Sequence, residues 1–420
     1  MILADGRVHD GRGGRFSGLR IEDGVVAELF AETPSAADVV LSGAVVLPGL
    51  IDTHLHLVAI GQAATMADLR EVSTLDSVAE RVLACSPDHT GTRFGRHFDP
   101  KLAPVDPQWF RHYFGDSRVV LLAPDLHSAW VSPRVFRDAG VSAATADPIG
   151  GRYLRNPDGT LSGFVLDGAL DRVGSRFAVD DPDRVESFLR AGRAACVDAG
   201  LHGGHEKATT VALWRSLQAL DRAGALPIRV TCYGFGDWSD WATEDLSHAS
   251  SRLCFGGFKV FMDGALGSRG ALLQAPYSDV DADAPDPAGL SLMDDGALHA
   301  WWRRADERGV QLAVHAIGDE AVRRVLALPH RKDAGLRIEH AQVVDPRDHP
   351  RFLGVVAAMQ PHHRRDDAAF LEARLGERCA WAFPMNALAR AGATVCFGSD
   401  APVSELSPLE GMAAAREAGV

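Results

Sequence analysis

The strongest constraint on how this chain can fold is a pattern that recurs five times: a short apolar run that meets a histidine, lysine or aspartate and then turns. It occurs at 43–56, ending in Asp52-Thr-His-Leu-His56, and again at 255–264 around Lys259 and at 310–319 around His315. The last two cases are 336–342, around His340, and 393–400, ending at Asp400. Amphipathic, helix-like stretches such as 294–308 and 319–328 lie between them. Short strands alternating with helices imply a parallel sheet.

Spacing narrows the choice to a (β/α)8 TIM barrel, in which one strand and its helix take about 31 residues. His315 to His340 is 25 residues, one unit, and His340 to Asp400 is 60, two units. Lys259 to His315 is 56, one unit with a long loop supplied by the Pro/Asp-rich stretch 278–289. His56 to Lys259 is 203 residues, which leaves roughly a hundred residues beyond what three units need. That predicts a long insertion after strand 1, at about 60–175, with a hairpin turn at Asn156-Pro-Asp-Gly159. Residues 1–48 read as the N-terminal part of a small flanking β-sandwich, with Asp23-Gly24 as a hairpin turn. The barrel then occupies 49–420.

Composition excludes several classes. A net charge of −13 argues against nucleic acid or an anionic membrane as partner. No apolar run approaches the ~18 residues of a membrane span, and the opening Met-Ile-Leu-Ala-Asp-Gly lacks the basic and apolar parts of a secretory signal. The six cysteines are scattered without a Cys-x-x-Cys pair, as in a reduced, cytoplasmic protein.

The chemistry-bearing residues sit where barrel active sites are built, at C-terminal strand ends. Alternate residues of a strand share a face, so His54 and His56 can converge on one divalent metal. His315, His340 and Asp400 end three further strands. Lys259 lies inside an apolar strand, where an unpaired ammonium is costly. Of the 43 basic residues only Lys101, Lys207, Lys259 and Lys332 are lysines. Arginine serves elsewhere as the cation, so a lysine here suggests amine chemistry: reaction with carbon dioxide gives a carbamate, an anionic oxygen ligand.

These motifs resemble the amidohydrolase superfamily: Pro48-Gly-Leu-Ile-Asp-Thr-His-Leu-His56, His315-Ala-Ile-Gly-Asp319 and Ile338-Glu-His-Ala341. The stretch from Lys259 to Arg269 and Gly398-Ser-Asp-Ala-Pro-Val403 resemble its family 3 branch, which includes deformylases of N-substituted formamides. The resemblance implies a metal-dependent hydrolase cleaving an amide-type C–N bond of a small molecule, with one or two divalent metal ions, zinc by preference. It implies that His54, His56 and Asp400 bind one metal and His315 and His340 a second, with carboxylated Lys259 between them. Asp400 would also shuttle the proton. It further implies substrate contacts from His127 and His363, while Arg269, after the fourth strand, is placed to clamp an anionic group of the substrate. Leu126 stands before His127 where the family has glycine, and 93–104 lacks the tryptophans expected there. The chain stops at Val420 after a helix opened by Ser407-Pro408, so the N-terminal strands are expected to lack partners. The alternatives are a mononuclear deaminase of a nitrogen heterocycle, disfavoured by Gly318 where those enzymes carry glutamate, and a truncated non-catalytic relative. The oligomeric state, monomer or homo-oligomer, stays open.

Overall fold

The structure, a computed structural model, describes residues 1–102, 107–173, 182–281, 283–329 and 335–418. Lys332, part of 93–104 and the end of 60–175 fall outside them. The chain begins with a five-stranded sheet: β1 Ile2–His9, β2 Arg15–Glu22, β3 Val25–Phe30, β4 Val39–Val40 and β5 Val45–Val46. The β2–β3 hairpin turns on Asp23 and Gly24, both at positive φ (49° and 76°), with Glu22 paired to Val25. This is the geometry that matches the twist of the flanking strands.

The barrel follows. Its strands are β6 Leu50–Leu55, then, after the insertion, β13 Leu201–Thr209, β14 Arg229–Gly234, β15 Leu253–Phe261, β16 Gln311–Ala316, β17 Leu336–His340, β18 Val356–Met359 and β19 Thr394–Phe397. All neighbours are parallel and the order is sequential. The ring closes between the last strand and the first: Asp400 N donates to His54 O at 2.7 Å and His56 N to Ala401 O at 3.0 Å. Gly398 is required there, because a Cβ would lie 2.4 Å from His54 N.

Between β6 and β13 the insertion forms its own six-stranded sheet, ordered β11-β12-β10-β9-β8-β7. Its strands are β7 Ala67–Asp68, β8 Thr92–Arg96, β9 Arg118–Leu122, β10 Ser128–Val131, β11 Gly151–Arg155 and β12 Leu161–Asp167. β11 and β12 are antiparallel around the 156–159 turn, where Gly159 takes φ 84°. The chain returns to the barrel through the helix Pro182–Asp198, which packs on the helix Leu57–Ala63. Gly61 and Gly192 allow that approach: a Cβ on either would lie 2.0 Å from a carbonyl oxygen of the other helix.

The main apolar core lies between barrel strands and helices. Leu55, Phe258, Val260, Leu312, Val314 and Ile338 point outward into it with Trp214, Leu217, Leu298 and Trp302. Residues at alternate positions face the barrel axis instead. There the chain places His54, Lys207, Lys259, His315, Arg337 and Glu339, all buried. Among the described residues no helix is long and apolar enough to cross a membrane.

Candidate metal centre

Alternation along β6 sends Asp52 and His54 to the axis and Leu55 to the core. Asp52 accepts from His54 N at 2.9 Å and from Ser399 N at 3.1 Å, joining the first strand to the turn after the last. Burial pushes its carboxyl up to about 6. On β17, Glu339 and His340 are neighbours, which simple alternation would put on opposite faces. Positive φ at His340 (73°) and Ala341 (43°) breaks the extended path and turns both side chains to the centre. Asp400 sits at φ 57°. Non-glycine residues held in this region store strain, and such strain clusters at functional sites.

His54, His340 and Asp400 meet at one point, with ligand atoms within 4.8 Å of one another. His54 Nδ1 donates to Glu339 Oε2 at 2.6 Å, so its Nε2 lone pair faces Asp400 Oδ1 at 3.2 Å. Lone pairs that close need a cation between or beside them, either a proton or a metal ion. His56 Nε2 lies 3.1 Å from the same oxygen. His340 Nδ1 donates to Gln360 Oε1 at 2.8 Å, which leaves its Nε2 as a donor atom for a metal. The His340 ring is 5.0 Å from that of His54 and 4.4 Å from that of His315. Burial lowers the pKa of all three imidazoles, well below the ordinary value for His315 and His340. Buried neutral imidazoles around a carboxylate, each held from behind, are a donor set that fits a divalent cation.

Lys259 is buried beside this group, with its amine 4.6 Å from the Phe261 ring. Burial pulls its pKa down to about 8, while the charges of Glu339 and Asp400 act the other way. Deeper in the barrel Glu339 pairs with Lys207 Nζ at 2.9 Å and with Arg337 Nε at 2.5 Å. Arg337 also donates to Thr53 O at 2.7 Å. Lys207 lies 3.2 Å over the Tyr233 ring, and the Tyr233 hydroxyl donates to Gln311 Oε1 at 2.6 Å.

Above the centre, the insertion contributes His127. Its Nδ1 donates to Asp167 Oδ1 at 2.6 Å, and its ring lies 5.3 Å from that of His315. Asp167 in turn rests on Gly264, where a Cβ would come within 2.5 Å of its carboxylate. His315 Nε2 donates to Gly264 O at 3.3 Å, so His315 presents Nδ1 where His54 and His340 present Nε2. His363 stacks on His340 at 5.9 Å, and its Nε2 is 3.8 Å from Asp400 Oδ2. Arg269 is placed differently: 41% exposed, its guanidinium makes two hydrogen bonds to Asp279, at 3.2 and 2.9 Å.

Carboxylates hold these groups in place, and of them only Glu206, near the end of β13, stands out in the sequence by position. Asp263 accepts backbone N–H bonds from Leu272, Ile317 and Gly318, tying the turn after β15 to that after β16. Glu206 receives Leu57 N and, at 2.7 Å, Ala208 N. Glu339 and Asp52 fall within the motifs 338–341 and 48–56, and their polar character inside apolar strands is the available signal. Asp167 and Gln360 had no comparable signal, since each depends on which loops meet.

Residues 39–416 match the family model described as the amidohydrolase family. A relative from Arabidopsis thaliana, Protein LONG AFTER FAR-RED 3, is 32% identical over 89% of this chain and 68% of its own length. The N-substituted formamide deformylase of Arthrobacter pascens is 25% identical over 99% of this chain and 83% of its own. Among solved structures, an uncharacterized metal-dependent hydrolase from Pyrococcus horikoshii OT3 superposes with a TM-score of 0.78 at 24% identity. It covers all of this chain and 86% of that one, and so shares its fold. The chain belongs to the amidohydrolase family, in the family 3 branch that its motifs resemble.

Proposed function

We propose that this protein hydrolyses an amide-type carbon–nitrogen bond of a small molecule at a centre holding one or two divalent metal ions, zinc by preference. The observation that carries the proposal is the convergence of His54, His340 and Asp400 at the C-terminal mouth of the barrel. In this reading His54, His56 and Asp400 would hold one ion and His315 and His340 another, with a carboxylated Lys259 supplying an anionic oxygen ligand. When bound, the metal supplies Lewis acidity, making water a nucleophile near neutral pH and polarising the carbonyl.

The chain's own residues handle the proton and the substrate. Asp400 accepts the proton lost by the attacking water and returns it to the departing nitrogen. His363, 3.8 Å from Asp400 Oδ2, stands where it can orient that nitrogen. His127, fixed by Asp167, faces the other side of the centre and contacts the acyl part. Arg269 reaches an anionic substituent only by sharing or releasing Asp279. The relative named as a deformylase of N-substituted formamides supports small N-substituted amides as the first substrates to try. The deaminase alternative needs a glutamate at position 318, where a Cβ would lie 2.0 Å from Leu272 O.

The test is metal analysis of protein purified without added metal, followed by a panel of N-substituted formamides and other small amides. One to two equivalents of divalent metal per chain and turnover on the panel are expected. Less than about a tenth of an equivalent, with no activity restored by zinc, manganese or cobalt, would end this reading.

A further inference from the structure

We infer that Glu339 is a positioning residue for the metal centre: by accepting the Nδ1 proton of His54 it fixes the tautomer and orientation in which His54 presents Nε2. The inference rests on the metal reading above and extends it to a residue that touches neither metal nor substrate. Glu339 is fully buried, and its two oxygens do separate work. Oε2 takes the His54 Nδ1 proton at 2.6 Å, while Oε1 faces Lys207 at 2.9 Å and Arg337 at 2.5 Å. The cations hold one side of the carboxylate, so the other side has a set position. Arg337 is itself anchored to Thr53 O, one residue before His54, so the arginine, the glutamate and the histidine form a closed circuit across β17 and β6.

A purely structural ion pair would require only Oε1. The 2.6 Å contact adds a constraint on the imidazole, and the sequence neighbour His340 is held likewise from Gln360 at 2.8 Å. The two supports differ in charge. A carboxylate behind an imidazole raises its basicity, which a neutral amide oxygen does far less. His54 is therefore the stronger of the two donors, and the site's affinity depends more on Glu339 than on Gln360.

The experiment measures zinc affinity of the full chain, stripped with chelator, by competition with a chromophoric chelator. Glu339→Asp keeps a buried anion near Lys207 and Arg337 but draws the carboxylate back by one methylene from His54 Nδ1. Zinc binding is expected to weaken about tenfold to a hundredfold. Should that variant fold poorly, Glu339→Gln combined with Lys207→Met removes one charge of each sign and should weaken zinc binding over the same range. Leu217→Ala, in the core behind the barrel, is the control for stability alone: it should lower Tm and leave zinc affinity unchanged. His54→Ala should lose binding more severely than either Glu339 variant. Parent-like zinc affinity in a folded Glu339→Asp or double variant overturns the positioning role while leaving the metal reading intact. Failure of the parent chain to bind zinc, manganese or cobalt overturns the metal reading and this inference with it.

Discussion

Lys259 offers the sharpest test of the centre's chemistry. Carbamate formation consumes a neutral amine and carbon dioxide, forms one N–C bond, and releases one proton from nitrogen. An ordinary lysine with a pKa of 10.5 is neutral in only about one molecule in three hundred at pH 8. Burial brings Lys259 to about 8, where half of its amines are neutral. The reactive fraction is therefore larger by on the order of a hundredfold. Lys259→Arg keeps a cation and cannot carboxylate, so it places positive charge where the reading requires an anion among His54, His315, His340 and Asp400. Metal content should fall and kcat should drop by more than about a hundredfold. Lys259→Ala should be equally inactive but partly recovered by acetate or propionate, whose carboxylate can enter the vacated space, and Lys259→Glu should supply the anion from within. The assay is metal content and turnover of the three variants with and without added acid. The reasoning is refuted by a Lys259→Arg protein that retains parent metal content and parent kcat.

Three further outcomes follow from the same geometry. Asp400→Asn keeps the shape of the side chain but cannot accept a proton, so kcat should fall by about 10²–10⁴ with the circular dichroism spectrum unchanged; parent kcat would remove Asp400 from proton transfer. Asp52→Ala leaves the buried N–H groups of His54 and Ser399 without their acceptor, a loss of about 2–5 kcal/mol in denaturant unfolding. Because burial raises the Asp52 pKa in the folded state to about 6 from 3.8, the folded chain binds a proton that the unfolded chain has released between those values. Its contribution is present below about pH 4 and lost as pH rises through about 6. In the metal-stripped protein that segment of the stability profile should disappear in Asp52→Asn; an unchanged profile would contradict the assignment.

What the sequence could reveal follows from how far each signal reaches. The barrel was legible because its grammar is local: 310–319, 336–342 and 393–400 contain β16, β17 and β19 whole, and 255–264 contains β15 from its third residue on, each with the polar residue near the strand end. The Asp23-Gly24 and 156–159 turns were legible for the same reason, since turn type depends on a few adjacent residues. His54 and His340 could each be placed at a strand end, but the sequence assigned them to different metal ions, and that they meet with Asp400 at one point was not legible. Nor was the ranking of supporting groups, because it depends on contacts across hundreds of residues: Glu339 to His54 spans 285, and Asp52 to Ser399 spans 347. Arg269 shows the converse limit. Its place after the fourth barrel strand made it a natural anion clamp, but its charge is met ten residues later by Asp279, and local spacing gives no means of telling a free guanidinium from one already paired. Glu339 falls between these cases. A glutamate one residue before a strand-end histidine should point away from the barrel axis by strand alternation, and only the positive φ at His340 brings both to the same side. The backbone strain at that step lets one short motif supply both a proposed ligand, His340, and the carboxylate that holds His54.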